Sequence, residues 1–274
     1  MTSSDSRRPW TLLLMAAAFL VMVTLGIRQS FGLFLLPVTE ALGTGREVFS
    51  LALALQNLLW GIASPFAGAL ADKFGAGRVA AIGTLFYAGG LVVMASFVSP
   101  SGLMMGQLMI GIGLGSAGVS IALGAVARAV APEKRSLALG MVTSIGSFGQ
   151  FAVLPVTQIF IDGYGWQVSL LLLSGLSASM LASCLLMARD EKVREVRTAD
   201  IANITMNGML KTALSSTDYL LLTVGFFVCG IQVVFIATHL PTYLQDAGIG
   251  PEIASWALGL VGYLILSAHF LLAG

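Results

Sequence analysis

The stretch Gly68-Ala-Leu-Ala-Asp72-Lys73-Phe-Gly75-Ala-Gly-Arg78 sets two cations and one carboxylate between two long apolar runs, 48–71 and 79–98. Each run is long enough to cross a bilayer as a helix, which takes about 20 apolar residues. A link this short must turn sharply at the membrane surface, and Gly75 and Gly77 supply the backbone freedom for it.

Working outward, the whole chain has the same character. It is 57% hydrophobic and 10% charged, with 32 glycines in 274 residues. A soluble domain carries about 25% charged residues, so this is a membrane protein. A net charge of +1, held in clusters, gives no footing for nucleic acid. Cys184 and Cys229 both lie inside apolar runs, and no Cys or His cluster has the spacing of a disulfide framework or metal site. No nucleophile–base pair or phosphate-binding loop is present either, so the sequence implies neither an enzyme nor a cofactor. Arg7 and Arg8 before an apolar run imitate a signal peptide. The run continues to Leu36 with no cleavage site before polar sequence, so a retained helix is expected.

Eight runs pass the spanning test: 10–36, 48–71, 79–98, 103–127, 137–160, 166–188, 219–240 and 253–273. Their recurrent glycines, such as Gly111, Gly113, Gly115 and Gly118, read as close helix packing. If the N-terminus is cytoplasmic, the inside segments hold 12 of the 14 Lys and Arg residues and the outside loops hold only Arg46. That asymmetry follows the positive-inside rule and places the N-terminus inside. The organisation expected is six spanning helices over 1–188, a cytoplasmic linker over 189–218 and two further helices over 219–274.

The remaining cation, Arg28, is intramembrane, about 12 Å below the outer end of its run at Leu36 on a helical rise. A charge there costs roughly 2.5 kcal/mol or more if it faces lipid. It is expected to face the bundle interior and bind an anion, its fork suiting a carboxylate; snorkelling or pairing with a helix carbonyl is the structural alternative. Gln29 adjoins it. Gln56 and Asn57 lie near the middle of the second run about 100° apart, so one of the two is expected to line a cavity. Gln150 in the fifth run is a further lining candidate, and Pro155 is expected to kink that run. His239 and His269, the two histidines, fit helix-packing or interfacial roles.

These residues carry a resemblance. The pattern G-x3-D-[RK]-x-G-x2-[RK] at Gly68, Asp72, Lys73, Gly75 and Arg78 resembles the loop between the second and third helices of the major facilitator superfamily of transporters. In that family the loop is a cytoplasmic gate latch, which implies a gate role here, with Arg128 as the ion-pair partner of Asp72. Gly106-Gln107-x3-Gly111-x-Gly113-x-Gly115 is similar to a fourth-helix motif of the family, except that Gln107 replaces the usual arginine. That arginine is associated with proton coupling, so its absence weakens a generic proton-antiport reading. Gly26-Ile-Arg28-Gln29-Ser30-Phe31-Gly32, Phe49-Ser-Leu-Ala, Pro132-Glu-Lys-Arg-Ser-Leu-Ala-Leu-Gly140 and Tyr164-Gly-Trp166-Gln resemble the bacterial monocarboxylate and oxalate–formate branch. The acidic signature that animal members carry before the first helix is missing; the chain reads Arg8-Pro-Trp-Thr there.

The resemblance implies an all-α, multi-pass protein of the bacterial inner membrane with a complete first bundle and two helices of a second. Members normally have twelve helices, so a truncated chain is expected. The function implied is alternating-access transport of a small organic anion, with a coupled proton or counter-anion as further partner. Alternatives are a drug or sugar carrier of the same fold, or a transport-inactive fragment. A homo-oligomer is expected if the short chain works by itself.

Overall fold

The computed structural model describes residues 10–192 and 215–273, with side chains over 10–188 and 215–264. The described residues form ten α-helices and a 3-10 turn: α1 (Trp10–Ser30), the turn Phe31–Phe34, α2 (Leu35–Leu42), α3 (Arg46–Phe74), α4 (Ala76–Ser96), α5 (Pro100–Ala117), α6 (Val119–Ala129), α7 (Pro132–Tyr164), α8 (Trp166–Lys192), α9 (Thr217–Asp246) and α10 (Pro251–Ala273). Seven spans among them are long and apolar enough to cross a membrane. The eighth expected run is present as the 23-residue α10. His269 and most of the expected linker lie outside the residues whose side chains are described.

The gate-loop link is a single residue. Gly75 adopts φ +97° between α3 and α4, where an L side chain would be strained, and its N–H donates to the Ala71 carbonyl at 2.9 Å.

Two runs differ from the sequence expectation. The first continues past Leu36 to Leu42 as one 33-residue span, α1 passing through the 3-10 turn into α2. Thr39 is absorbed because its hydroxyl donates to the carbonyls of its own helix, Leu35 at 2.7 Å and Leu36 at 3.1 Å. Arg28 is therefore about 20 Å from the end of its span, deeper than the sequence suggested. The fourth run is broken at Gly118, whose extended backbone separates α5 from α6. Pro155 lies inside α7, which remains one helix from Pro132 to Tyr164.

Where a bilayer removes the hydrophobic drive between helices, close approach of small residues takes over. A side chain at Gly149 would strike the Met22 carbonyl, joining α7 to α1. One at Gly111 would come within 2.6 Å of the Gln56 carbonyl, joining α5 to α3. Around these contacts Leu20, Ile27, Phe34, Phe49, Tyr87, Ile110 and Leu114 are fully buried.

The second group of helices meets the first in two places. α10 lies along α7, where Phe151 packs on Trp256 and Tyr263 at 5.8 and 6.1 Å between ring centroids. α9 is exposed through residues 217–233 and buries only Ala237, Thr238, Pro241 and Thr242 near its last turns. It therefore touches the bundle at one end only.

Candidate functional site

That contact closes over Arg28. The last turn of α1 carries Arg28 toward α3, where its Nη2 donates to Asn57 Oδ1 at 3.1 Å. The Asn57 amide is oriented in turn, its Nδ2 donating to the Leu53 carbonyl at 2.7 Å. One turn on, Trp60 places its ring 4.8 Å from the guanidinium carbon. Residues 57 and 60 share a helix face at a spacing of three, so one face of α3 supplies both contacts.

Magnitudes show what these contacts accomplish. A mid-membrane arginine costs roughly 2.5–3.5 kcal/mol on insertion scales. A hydrogen bond to a charged group contributes about 1.5–3 kcal/mol, and a desolvated cation–π contact about 2 kcal/mol. Together they offset the cost of insertion. Neither partner is negative, and among the described residues no carboxylate pairs with Arg28. The site keeps its full positive charge.

The recess beside the guanidinium is lined by Arg28, Phe31, Gly32, Leu53, Gln56, Asn57, Val234, Ala237 and Thr238. Three of these belong to α9, so both groups of helices build it. Its volume of about 20 Å³ admits one water molecule. Gln56 is 1% exposed and its Nε2 has no partner. A buried, unpaired donor of this kind costs about 1–3 kcal/mol, and it lines the same recess as the cation.

Both Gln56 and Asn57 line the recess, where the sequence suggested only one. Gln29 is buried but does not line it. Gln150 lies elsewhere, at the α7–α10 contact, its Cβ 2.9 Å from where a side chain at Gly262 would begin. Gln107 is completely buried, and neither of its amide atoms has a partner. His239 is partly buried beside Phe235, at 4.9 Å between ring centroids.

At the other end of α3, Arg128 Nη1 donates to Asp72 Oδ1 at 3.1 Å, the pairing expected from the sequence. Lys73 Nζ lies 5.3 Å from the Phe74 ring centroid, Arg78 is exposed, and Gly68 faces open space.

Two features escaped the sequence. Arg46 and Asp246 form a bidentate ion pair at 2.7 and 2.9 Å, tying the start of α3 to the end of α9. Gly32 abuts the Ala237 carbonyl so closely that any side chain would strike it. The only hint of the pair was that Arg46 was the single cation of the expected outside loops; Gly32 gave none.

Residues 11–274 match the Major Facilitator Superfamily. The chain belongs to this superfamily. Its members are carriers, not enzymes, and the all-helical architecture is a partial major facilitator fold. The chain is similar to "Uncharacterized MFS-type transporter YcxA" of Bacillus subtilis, 24% identical over 90% of this chain and 60% of that protein. It is also similar to "Monocarboxylate transporter 13" of Rattus norvegicus, 26% identical over 91% of this chain and 57% of that protein. "Multidrug resistance protein MdtH" of Cronobacter sakazakii is 26% identical over 92% of this chain and 61% of that protein. The chain thus spans about three-fifths of the length of these superfamily relatives.

Proposed function

We propose that this chain serves secondary transport of a small organic anion of the monocarboxylate type by alternating access, in a bacterial inner membrane with its N-terminus in the cytoplasm. The observation that carries the proposal is Arg28: a guanidinium in mid-span, held by two uncharged partners, facing a recess that α9 closes. An anion entering there neutralises the charge, and Gln56 Nε2 offers it a second donor. The recess has room for about one water, so a carboxylic acid enters only when α9 moves away from Gly32. Solute entry and separation of the two helix groups are then one event, as alternating access demands. The similarity to a protein named as a monocarboxylate transporter supports the solute class.

A neutral-solute carrier is the second reading, favoured by the equal similarity to a protein named for multidrug resistance. Uptake of labelled lactate and oxalate by vesicles carrying this chain, beside an Arg28→Gln version, separates the two. Loss of uptake on substitution supports the anion carrier. Uptake indifferent to the substitution supports a neutral solute, and none from well-inserted wild-type chain supports an inactive fragment.

A further inference from the structure

Two of the places where α3 approaches the broken α5–α6 helix differ in chemistry. Near mid-span, Trp60 holds the guanidinium of Arg28 on its ring face. Its indole Nε1 lies 3.7 Å from the position a side chain at Gly118 would take. About 18 Å along the same helix, Asp72 holds Arg128, the penultimate residue of α6. The segment from Gly118 to Arg128 is about 15 Å long on the same rise. α3 and α6 therefore run side by side as two struts, with the indole beside the joint at one end and the ion pair linking them at the other.

The break is built into the sequence. A Cβ at Gly118 would collide with the Leu114 carbonyl, so this extended joint accepts glycine only. It leaves carbonyls at the end of α5 without helical partners. One of them, Ala117 O, lies 3.4 Å from Thr24 Oγ1. Thr24 is one turn before Arg28 on α1, and its own carbonyl accepts from Tyr87 Oη at 3.2 Å. The helix that carries the cation thus also touches the joint.

We propose that Trp60 is a positioning residue that links anion occupancy at Arg28 to the Asp72–Arg128 latch, with α6 as a lever hinged at Gly118. The proposal rests on the anion reading of Arg28. The attraction between guanidinium and indole depends on the positive charge. An anion on the guanidinium weakens it, frees the indole beside the joint, and lets α6 shift against α3. An exposed ion pair is worth only about 0–1 kcal/mol, so the latch at the far end yields to a small bias.

The test is hydrogen–deuterium exchange of residues 119–129 in the full chain in lipid nanodiscs, with and without saturating oxalate, alongside labelled-oxalate binding. In the wild type, oxalate is expected to speed exchange in this segment threefold or more. Trp60→Leu is expected to bind oxalate at least as tightly as the wild type, since no cation–π contact then competes with the anion, and to exchange fast whether or not oxalate is present. Trp60→Phe keeps a ring face and guards against a misfolded leucine variant; its oxalate response is expected to be smaller than wild type but present. Saturable binding by the wild type with unchanged exchange in 119–129 overturns the lever alone. So does a full oxalate response in Trp60→Leu. No saturable binding by a well-inserted wild type overturns the anion reading and the lever with it.

Discussion

Arg46 and Asp246, 200 residues apart, close the α9 end of the bundle with two parallel hydrogen bonds of 2.7 and 2.9 Å. Both side chains are about half exposed. Such a pair contributes 0.2–1 kcal/mol in general and is screened by salt. It is too weak to lock the helices and strong enough to bias them. Reversing Asp246 to Arg should raise maleimide labelling of a Val234→Cys probe about two- to fivefold, in a background lacking Cys184 and Cys229. The double reversal Arg46→Asp with Asp246→Arg should restore slow labelling. High salt should shrink the difference.

Below this pair, Gly32 bears directly on the Ala237 carbonyl. Gly32→Val should force α9 outward at a cost of about 1–3 kcal/mol for overpacking. The same labelling assay should show fast modification of the Val234→Cys probe, unaffected by salt. Slow labelling would mean that the contact is loose in the membrane.

Asn57 holds Arg28 through its side-chain carbonyl alone. Asn57→Asp should put a carboxylate 3.1 Å from the guanidinium and neutralise the recess. Anion uptake should fall more than tenfold with insertion unchanged, while Asn57→Leu should mainly raise KM. Retained uptake in the aspartate variant would argue against anion entry beside Arg28.

At the opposite end, Asp72 is 69% exposed and Arg128 47% exposed. Asp72→Asn should leave Tm within about 1 °C, since exposed pairs add little stability. It should still change the transport rate severalfold if the pair is a gate. A large fall in Tm with transport per folded molecule unchanged would make the pair structural.

The helices were legible because apolar runs of spanning length have few other uses, and the Asp72–Arg128 pair because both residues stand where an apolar run ends on the same expected side of the membrane. Arg28 was legible by cost alone, since a mid-span charge needs a partner. Its true depth was not. Thr39 and Glu40 look like an exit from the membrane, but Thr39 bonds its own helix and the span continues. The joint at Gly118 was hidden among glycines that all read as packing residues, and its extended backbone against the Leu114 carbonyl distinguishes it only in the folded chain. The partnership of Arg46 with Asp246 is a product of tertiary folding. Nothing local to either residue encodes it.

The most direct test of the anion site is equilibrium binding of labelled lactate and oxalate to the purified chain in nanodiscs, beside Arg28→Gln. Saturable binding by the wild type that falls at least tenfold on substitution is the expected result. Equal binding by both chains, or none by a folded and inserted wild type, would contradict the role assigned to Arg28.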